Sequence, residues 1–326
     1  MLMAILDEIR RPVSEEMKLF EQHFRSSMKS KLPLLDLITN YILRRKGKQI
    51  RPLFVFLSAK IIGNTTDSTY HAASFIELLH TATLIHDDVV DESLERRGYF
   101  SINALWKSKI AVLVGDYFLS RGLLLATEHK EYELLSIMSE AVREMSEGEL
   151  MQMQKSRKLN ITEEEYFSII MKKTATLIAA CTASGVLSTG ADQATVELFK
   201  KFGENVGMAF QIKDDLFDYN KKGIIGKPTG NDIKEKKFTL PLIHALENGS
   251  LKDKNHIIKL IKSNHLTSRQ IQEIIDFAVE SKGIEYSIEK MNNYKDEALN
   301  LISGYPENEA KRSMKMLVEY VINRDK

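Results

Sequence analysis

Residues 196-VELFKKFGENVGMAFQIKDDLFDY-219 place apolar side chains at three- and four-residue steps, the spacing of one face of an α-helix. The same spacing runs through 132-YELLSIMSEAVREMSEGELMQMQ-154, and period-two alternation over strand lengths is rare. Gly 16 and Pro 6 are few for 326 residues. The chain is therefore expected to be all-α, with roughly ten or more helices. Candidate breaks fall at 46-KGKQIRP-52, 63-GNTTD-67, 157-RKLNIT-162, 189-TGAD-192 and 222-KGIIGKPTGND-232, each built from turn and cap residues. Thr162 followed by Glu165 has the spacing of a capping box. No break is long enough for a linker, so residues 1–326 are expected to form a single domain.

The opening stretch ends in an acidic cluster, 213-KDDLFDY-219, and the same D-D-x-x-D pattern stands at 86-HDDVVDE-92. On a helix, positions i and i+4 share a face about 6 Å apart. Asp87 and Asp91 then point one way with Asp88 flanking, and Asp214 and Asp218 do likewise with Asp215 flanking. Alone, one such cluster is most simply a solvated helix face. Two with identical spacing, each preceded by an apolar run, fit divalent cations bridging a diphosphate. Oxygen-only ligands of this hardness suit Mg²⁺.

Basic residues lie apart from the acids. Lys48 and Arg51 sit in 44-RRKGKQIRP-52, Arg96 and Arg97 in 91-DESLERRG-98, and Lys173-Thr174, Lys227 and Lys237 follow. The planar guanidinium fork suits phosphate oxygens. Acids and bases kept separate fit two anionic groups, one held through metal and one directly. For any single lysine a surface role is the plainer reading; the set carries the inference. His80 lies two turns before Asp87 and His86 adjoins it; alone, each is as readily a satisfied core histidine.

Lys+Arg 46 against Asp+Glu 45 gives a net charge of +1, which offers no whole-molecule field for nucleic acid or an anionic membrane. The chain is 43% hydrophobic, enough for a sizeable core. The single cysteine, Cys181, excludes a disulfide framework, reads as core filler and fits a reducing, cytoplasmic compartment. No signal-peptide core opens the chain. The longest apolar stretch, 111-AVLVGDYFLSRGLLLA-126, is broken by Asp116 and Arg121, so no span of about 20 apolar residues is expected.

Taken in order, 47-GKQIRP-52, 77-ELLHTATLIHDDVVDES-93, 96-RRG-98, 112-VLVGDY-117, 146-SEGELMQ-152, 173-KT-174, 211-QIKDDLFD-218 and 226-GKPTGNDIKEKKFTLP-241 resemble the trans-isoprenyl diphosphate synthases, or polyprenyl synthetases. The resemblance runs from about residue 40 to the C-terminus and is closest to long-chain, octaprenyl-type members. It implies a helical bundle around a central cavity, a homodimer, and transfer of an allylic group onto isopentenyl diphosphate. Carried over by motif, Lys48, Arg51, His80 and Arg97 would bind isopentenyl diphosphate. Asp87, Asp91 and Asp214 would ligate several Mg²⁺ ions, with Asp88, Asp215 and Asp218 in support. Arg96, Lys173, Thr174, Gln211, Lys227 and Lys237 would contact the allylic diphosphate.

The sequence departs from the family pattern twice. The usual Gly-Gly-Lys-Arg-x-Arg-Pro appears as 46-KGKQIRP-52, and Glu-Gly-Lys as Glu235-Lys236-Lys237, which puts the geometry of both loops in question. In the family, aromatic residues five or four places before the first Asp motif stop chain growth. Ala82 and Thr83 stand there and imply a deep tunnel and a long product, destined for a quinone side chain and released through transient membrane contact. Phe118 is the candidate floor. A short-chain synthase is the alternative.

Three other classes are weaker. A class I terpene cyclase needs no second diphosphate site and usually lacks a second DDxxD. An HD-type phosphohydrolase, raised by His86-Asp87, needs further His and Asp ligands in a set order. A regulatory subunit of a heteromeric synthase typically lacks one or both Asp motifs, and both are intact.

Overall fold

The computed structural model describes residues 2–44, 47–96, 98–219, 230–263 and 266–322. They run through α1 (Leu2–Arg10), α2 (Ser14–Ser27), α3 (Pro33–Leu43), α4 (Ile50–Ile62), α5 (Asp67–Val90), α6 (Ile102–Glu128), α7 (Tyr132–Lys158), α8 (Glu163–Ile170), a π-helical turn (Met171–Ala175), α9 (Thr176–Leu187), α10 (Gln193–Phe217), α11 (Asn231–Lys234), α12 (Leu240–Asn248), α13 (Leu251–Ile261), α14 (Ser268–Glu280), α15 (Gly283–Leu301) and α16 (Glu309–Ile322). A two-stranded antiparallel hairpin, β1 (Glu95–Arg96) and β2 (Tyr99–Phe100), pairs Glu95 with Phe100 and Arg96 with Tyr99. The expected all-α class is what the chain adopts.

The starts of the helices follow their caps. Thr162 and Glu165 form the expected capping box of α8, with the Glu165 N–H donating to the Thr162 hydroxyl at 3.3 Å. Thr66 and Thr69 cap α5 in the same reciprocal way. Ser101 caps α6 by accepting from the Ala104 N–H at 3.0 Å. Inside α6, Lys107 at φ 67° and ψ 162° breaks the helical path.

The chain forms two compact units. The first comprises Met1–Ser139, Ala180–Phe199 and Tyr305–Met314. Its centre is α5 packed antiparallel on α6, with small residues where side chains must enter. A Cβ at Gly115 would lie 2.2 Å from the His86 ring, and one at Gly122 would lie 2.8 Å from the Phe75 ring. Phe54, Phe56, Phe75 and Phe118 are fully buried in this unit. So is Cys181, whose thiol burial pushes up to about 12, as expected of core filler.

The second unit comprises Glu140–Ala179, Lys200–Gly304 and Lys315–Lys326. Within it α12 packs on α14 and α15, and Gly283 lets α15 come so near that a Cβ would meet the Pro241 carbonyl at 2.2 Å.

Among the described residues two segments match a membrane span by length and mean hydropathy alone, Ile102–Glu128 and Glu163–Leu187. The apolar window of the second is 72% buried, as in a core helix. That of the first is 33% buried, and α6 leaves Val112, Leu113, Leu123 and Leu124 exposed.

Candidate active site

In the first unit the acidic motif sits at the end of α5. The helix stops at Val90, and Asp91 caps it, its N–H donating to the Asp87 carbonyl at 2.8 Å. Asp87 and Asp91 are therefore one turn apart, and both are exposed. Asp88 turns inward and is 4% exposed. The Nε of Arg96, on β1, donates to its carboxylate at 2.6 Å. Arg96, an expected substrate ligand, thus already holds an acid of the motif. Arg97 lies outside the described residues.

The basic motif of this unit opens α4. Arg51 Nη1 donates to Glu77 Oε1 at 3.2 Å, and its Nη2 meets His80 Nε2. Glu77 and His80 are one turn apart on α5, so one face of that helix holds the guanidinium by an acid and an imidazole. Lys48 is exposed, and its carbonyl accepts from Arg10 Nη2 at 2.8 Å. Gln49, where the family carries arginine, takes the left-handed φ of 50°. Between these two motifs on α5, Ala82 is buried at 3% exposure, and the Thr83 hydroxyl donates to the His80 carbonyl at 2.9 Å. Beside Asp87, the His86 Nε2 lies 3.2 Å from the Val112 carbonyl and 3.5 Å from Asp116 Oδ1.

In the second unit, Asp214 is exposed near the end of α10 and Asp215 is buried. The Tyr166 hydroxyl donates to Asp215 Oδ2 at 2.7 Å, and Gln211 Nε2 donates to Oδ1 at 2.8 Å. Both donors are neutral. Burial first, and then the nearby Asp232 charge, push the Asp215 carboxyl up to about 8. The helix stops at Phe217, one residue short of Asp218. The Asp218 carboxylate accepts from the N–H groups of Asn231 and Asp232, at 2.9 and 3.0 Å. Asp218 stands just past its helix end, as Asp91 does, but its carboxylate is taken up by the returning chain. Asp218 fastens the returning chain, and its burial raises its pKa despite those donors.

Lys173 and Thr174 lie on the π-helical turn. Lys173 Nζ donates to Gln152 Oε1 and pairs with Glu149 Oε2, both at 2.6 Å. The Thr174 hydroxyl donates to Gln211 Oε1 at 2.7 Å. One chain of contacts therefore runs Thr174–Gln211–Asp215–Tyr166. Lys237 pairs with Glu235 at 2.6 Å; burial opposes its charge, but Glu235, Asp232 and Glu149 together outweigh it and the pKa is raised. Lys173, Thr174, Gln211, Asp215, Asp232 and Lys237 line one pocket of about 110 Å³. Lys227 lies outside the described residues.

Several residues here had no expected role. Glu149, Gln152 and Asp232 sat inside the quoted motifs, and Glu77 opened one. Tyr166 had no sequence signal; only folding brings it across 49 positions to Asp215. Asp232 is half-buried, and burial, with the Asp218 charge beside it, pushes its carboxyl up to about 6.

Among the described residues no three His, Cys, Asp or Glu side chains gather closely enough to hold a metal ion by themselves. Each motif turns its second acid inward, so the expected trios do not form. The exposed oxygens that remain, on Asp87, Asp91 and Asp214, still fit Mg²⁺, which is usually held by one or two carboxylates with water and substrate phosphates completing the shell.

The polyprenyl synthetase family model matches residues 32–278. The octaprenyl diphosphate synthase of Haemophilus influenzae is 32% identical over 325 residues, covering 99% of this chain and 98% of that one. A polyprenyl synthase from Caulobacter crescentus, solved with calcium and isoprenyl diphosphate, superposes with a TM-score of 0.89 at 30% identity over 98% of each chain. A geranylgeranyl pyrophosphate synthase from Bacteroides thetaiotaomicron does so with 0.84 at 34% identity, over 98% of this chain and 100% of that one. Similarity of this extent means that the chain belongs to the polyprenyl synthetase family and is a trans-prenyltransferase.

Proposed function

We propose that the protein adds isopentenyl diphosphate units head-to-tail to farnesyl or geranylgeranyl diphosphate, giving a long-chain all-trans polyprenyl diphosphate of octaprenyl type. The observation that carries the long product is Ala82 with Thr83, where an aromatic ring would stop growth. Ala82 is buried, so a ring placed there would fill interior space and not solvent. Phe118, fully buried on α6 between Gly115 and Gly122, is the proposed floor. The product would serve a quinone side chain.

Lys48, Arg51, His80 and Arg97 hold isopentenyl diphosphate. Arg96, Lys173, Thr174, Gln211, Lys227 and Lys237 hold the allylic diphosphate, and the charges of the arginine and the lysines stabilise the negative charge that grows as the allylic C–O bond breaks. Asp87, Asp91 and Asp214 would hold Mg²⁺, which would supply further neutralisation of the leaving group. The isopentenyl double bond attacks the allylic carbon, a new C–C bond forms, and the released proton passes to the departing diphosphate. No side chain is assigned as base.

The exposed apolar face of α6 favours a second copy of the chain as its cover, in a cytoplasmic homodimer that touches membrane only to release product. A short-chain product is favoured by one observation, the 34% identity to a geranylgeranyl pyrophosphate synthase. Incubation with Mg²⁺, isopentenyl diphosphate and farnesyl diphosphate, followed by mass spectrometry, separates the two. Products beyond geranylgeranyl diphosphate, shortened by Ala82→Phe, are expected. Farnesyl or geranylgeranyl diphosphate as the only product would overturn the long-chain reading.

A further inference from the structure

The π-helical turn Met171–Ala175 carries both Lys173 and Thr174. A π turn holds one residue more than an α turn and is uncommon outside functional sites. Thr176 completes it, with its N–H and its hydroxyl both donated to the Met171 carbonyl, the hydroxyl at 3.0 Å.

Two helices press on this turn, and each does so through a glycine. A Cβ at Gly148, on α7, would lie 2.8 Å from the Lys173 nitrogen and 2.9 Å from the Lys172 Cβ. A Cβ at Gly207, on α10, would lie 2.4 Å from the Ala175 Cα and 2.8 Å from its Cβ. These neighbours are backbone, or atoms fixed to it, and cannot swing aside. Four residues beyond each glycine, on the same helix face, stands a glutamine: 148-GELMQ-152 and 207-GMAFQ-211. Gln152 accepts from Lys173 at 2.6 Å, and Gln211 accepts from Thr174 at 2.7 Å. The two helices thus repeat one device, a glycine that admits the turn's backbone and a glutamine one helical turn on that holds its side chain.

We propose that Gly148 and Gly207 are positioning residues for the allylic diphosphate: paired Gly-x-x-x-Gln edges clamp the π turn and fix where Lys173 and Thr174 meet that substrate. The proposal rests on the assignment of Lys173 and Thr174 to the allylic diphosphate. An added methyl group at either glycine must push the turn away from its glutamines, while Lys48, Arg51 and His80, on other segments, keep their own partners.

The test is steady-state kinetics with each diphosphate varied in turn, on the wild-type protein, Gly148→Ala, Gly207→Ala and the control Gly304→Ala, whose added Cβ meets nothing within 4 Å. The expected result is a loss of about 100-fold in kcat/KM for the allylic diphosphate at Gly207→Ala, the size of effect a misplacement near 1 Å produces. A smaller loss is expected at Gly148→Ala, with KM for isopentenyl diphosphate unchanged in both variants and Gly304→Ala matching the wild type. If Gly207→Ala does not fold, judged by circular dichroism, Gly148→Ala carries the same test. A rise in the KM for isopentenyl diphosphate in either variant, or no loss of allylic kcat/KM, overturns the clamp while an active wild-type protein upholds the transferase. A wild-type protein that consumes neither diphosphate overturns the functional reading, and the clamp with it.

Discussion

Asp88 and Asp215 hold the same place in the two D-D-x-x-D motifs, yet one is tied to a guanidinium and the other to a phenol and an amide. In both motifs the first acid is exposed and the second is buried. The spacing thus encodes a division of labour, with one carboxylate offered outward and the next anchoring the helix end. The anchors differ in kind. Arg96 comes from eight residues away and brings a charge that offsets that of Asp88. Tyr166 and Gln211 bring only neutral donors, so burial dominates and the Asp215 carboxyl is pushed up to about 8. The third acids differ as well. Asp91 closes its helix in the open, whereas Asp218 is spent on the N–H groups of Asn231 and Asp232.

The largest effects belong to the outward acids. Asp87→Asn and Asp214→Asn are each expected to lower kcat by about 10²- to 10³-fold, the cost of losing one electrostatic stabiliser of a leaving group. Stability is expected to move by no more than about 0.5 kcal/mol, because both side chains are exposed. Turnover and urea unfolding of the same preparations check this. Wild-type turnover in either variant would break the outward-inward division for that motif.

The inward acids separate by pH. An aspartate has a pKa near 3.9 when unfolded, and Asp215 is raised to about 8 in the fold. Between those values the folded state keeps a proton that the unfolded state releases. Stability therefore falls as pH rises from about 4 to about 8 and levels off above that. Asp215→Asn is expected to flatten this fall in metal-free protein, with Asp218 and Asp232 leaving a residual slope. Asp88→Asn removes the partner of a charged arginine and is expected to cost about 1–3 kcal/mol. Urea midpoints at pH 5, 7 and 9 sharpen the comparison. An Asp215→Asn profile parallel to the wild type would mean that Asp215 stays charged throughout.

Much of this was legible beforehand because it is local. Helical period, the Thr162–Glu165 box and the one-turn spacing of Asp87 and Asp91 follow from spacing along the chain. The inward turn of Asp88 and Asp215 was not, since period alone cannot say which of two adjacent acids finds a donor. Tyr166 was invisible for the same reason: its partner lies on another helix, 49 positions on. The capture of Asp218 was missed because its donors, Asn231 and Asp232, lie on a segment that returns only after residue 229. Gly148 and Gly207 stand inside long helices, and only the close approach of the π turn explains them.

The smallest expected effect concerns the two departures from the family's loops, one in each unit. Lys236 stands where the family has glycine, and the turn keeps a left-handed conformation, φ 58°. Gln49, at φ 50°, does the same before α4. A side chain in that region costs about 1–2 kcal/mol, and glycine gives back about half of the gain through its greater freedom when unfolded. Lys236→Gly and Gln49→Gly are therefore each expected to raise stability by about 0.5 kcal/mol, read as a small rise in the urea midpoint. The Lys237 N–H donates to the Asp232 carbonyl at 2.8 Å within the same turn, so Lys237 should keep its place and the allylic KM should not change. A rise in that KM at Lys236→Gly would assign the Lys236 ammonium itself to the substrate, and the glycine lost from the family pattern would then be a gained cation and not only a strained turn.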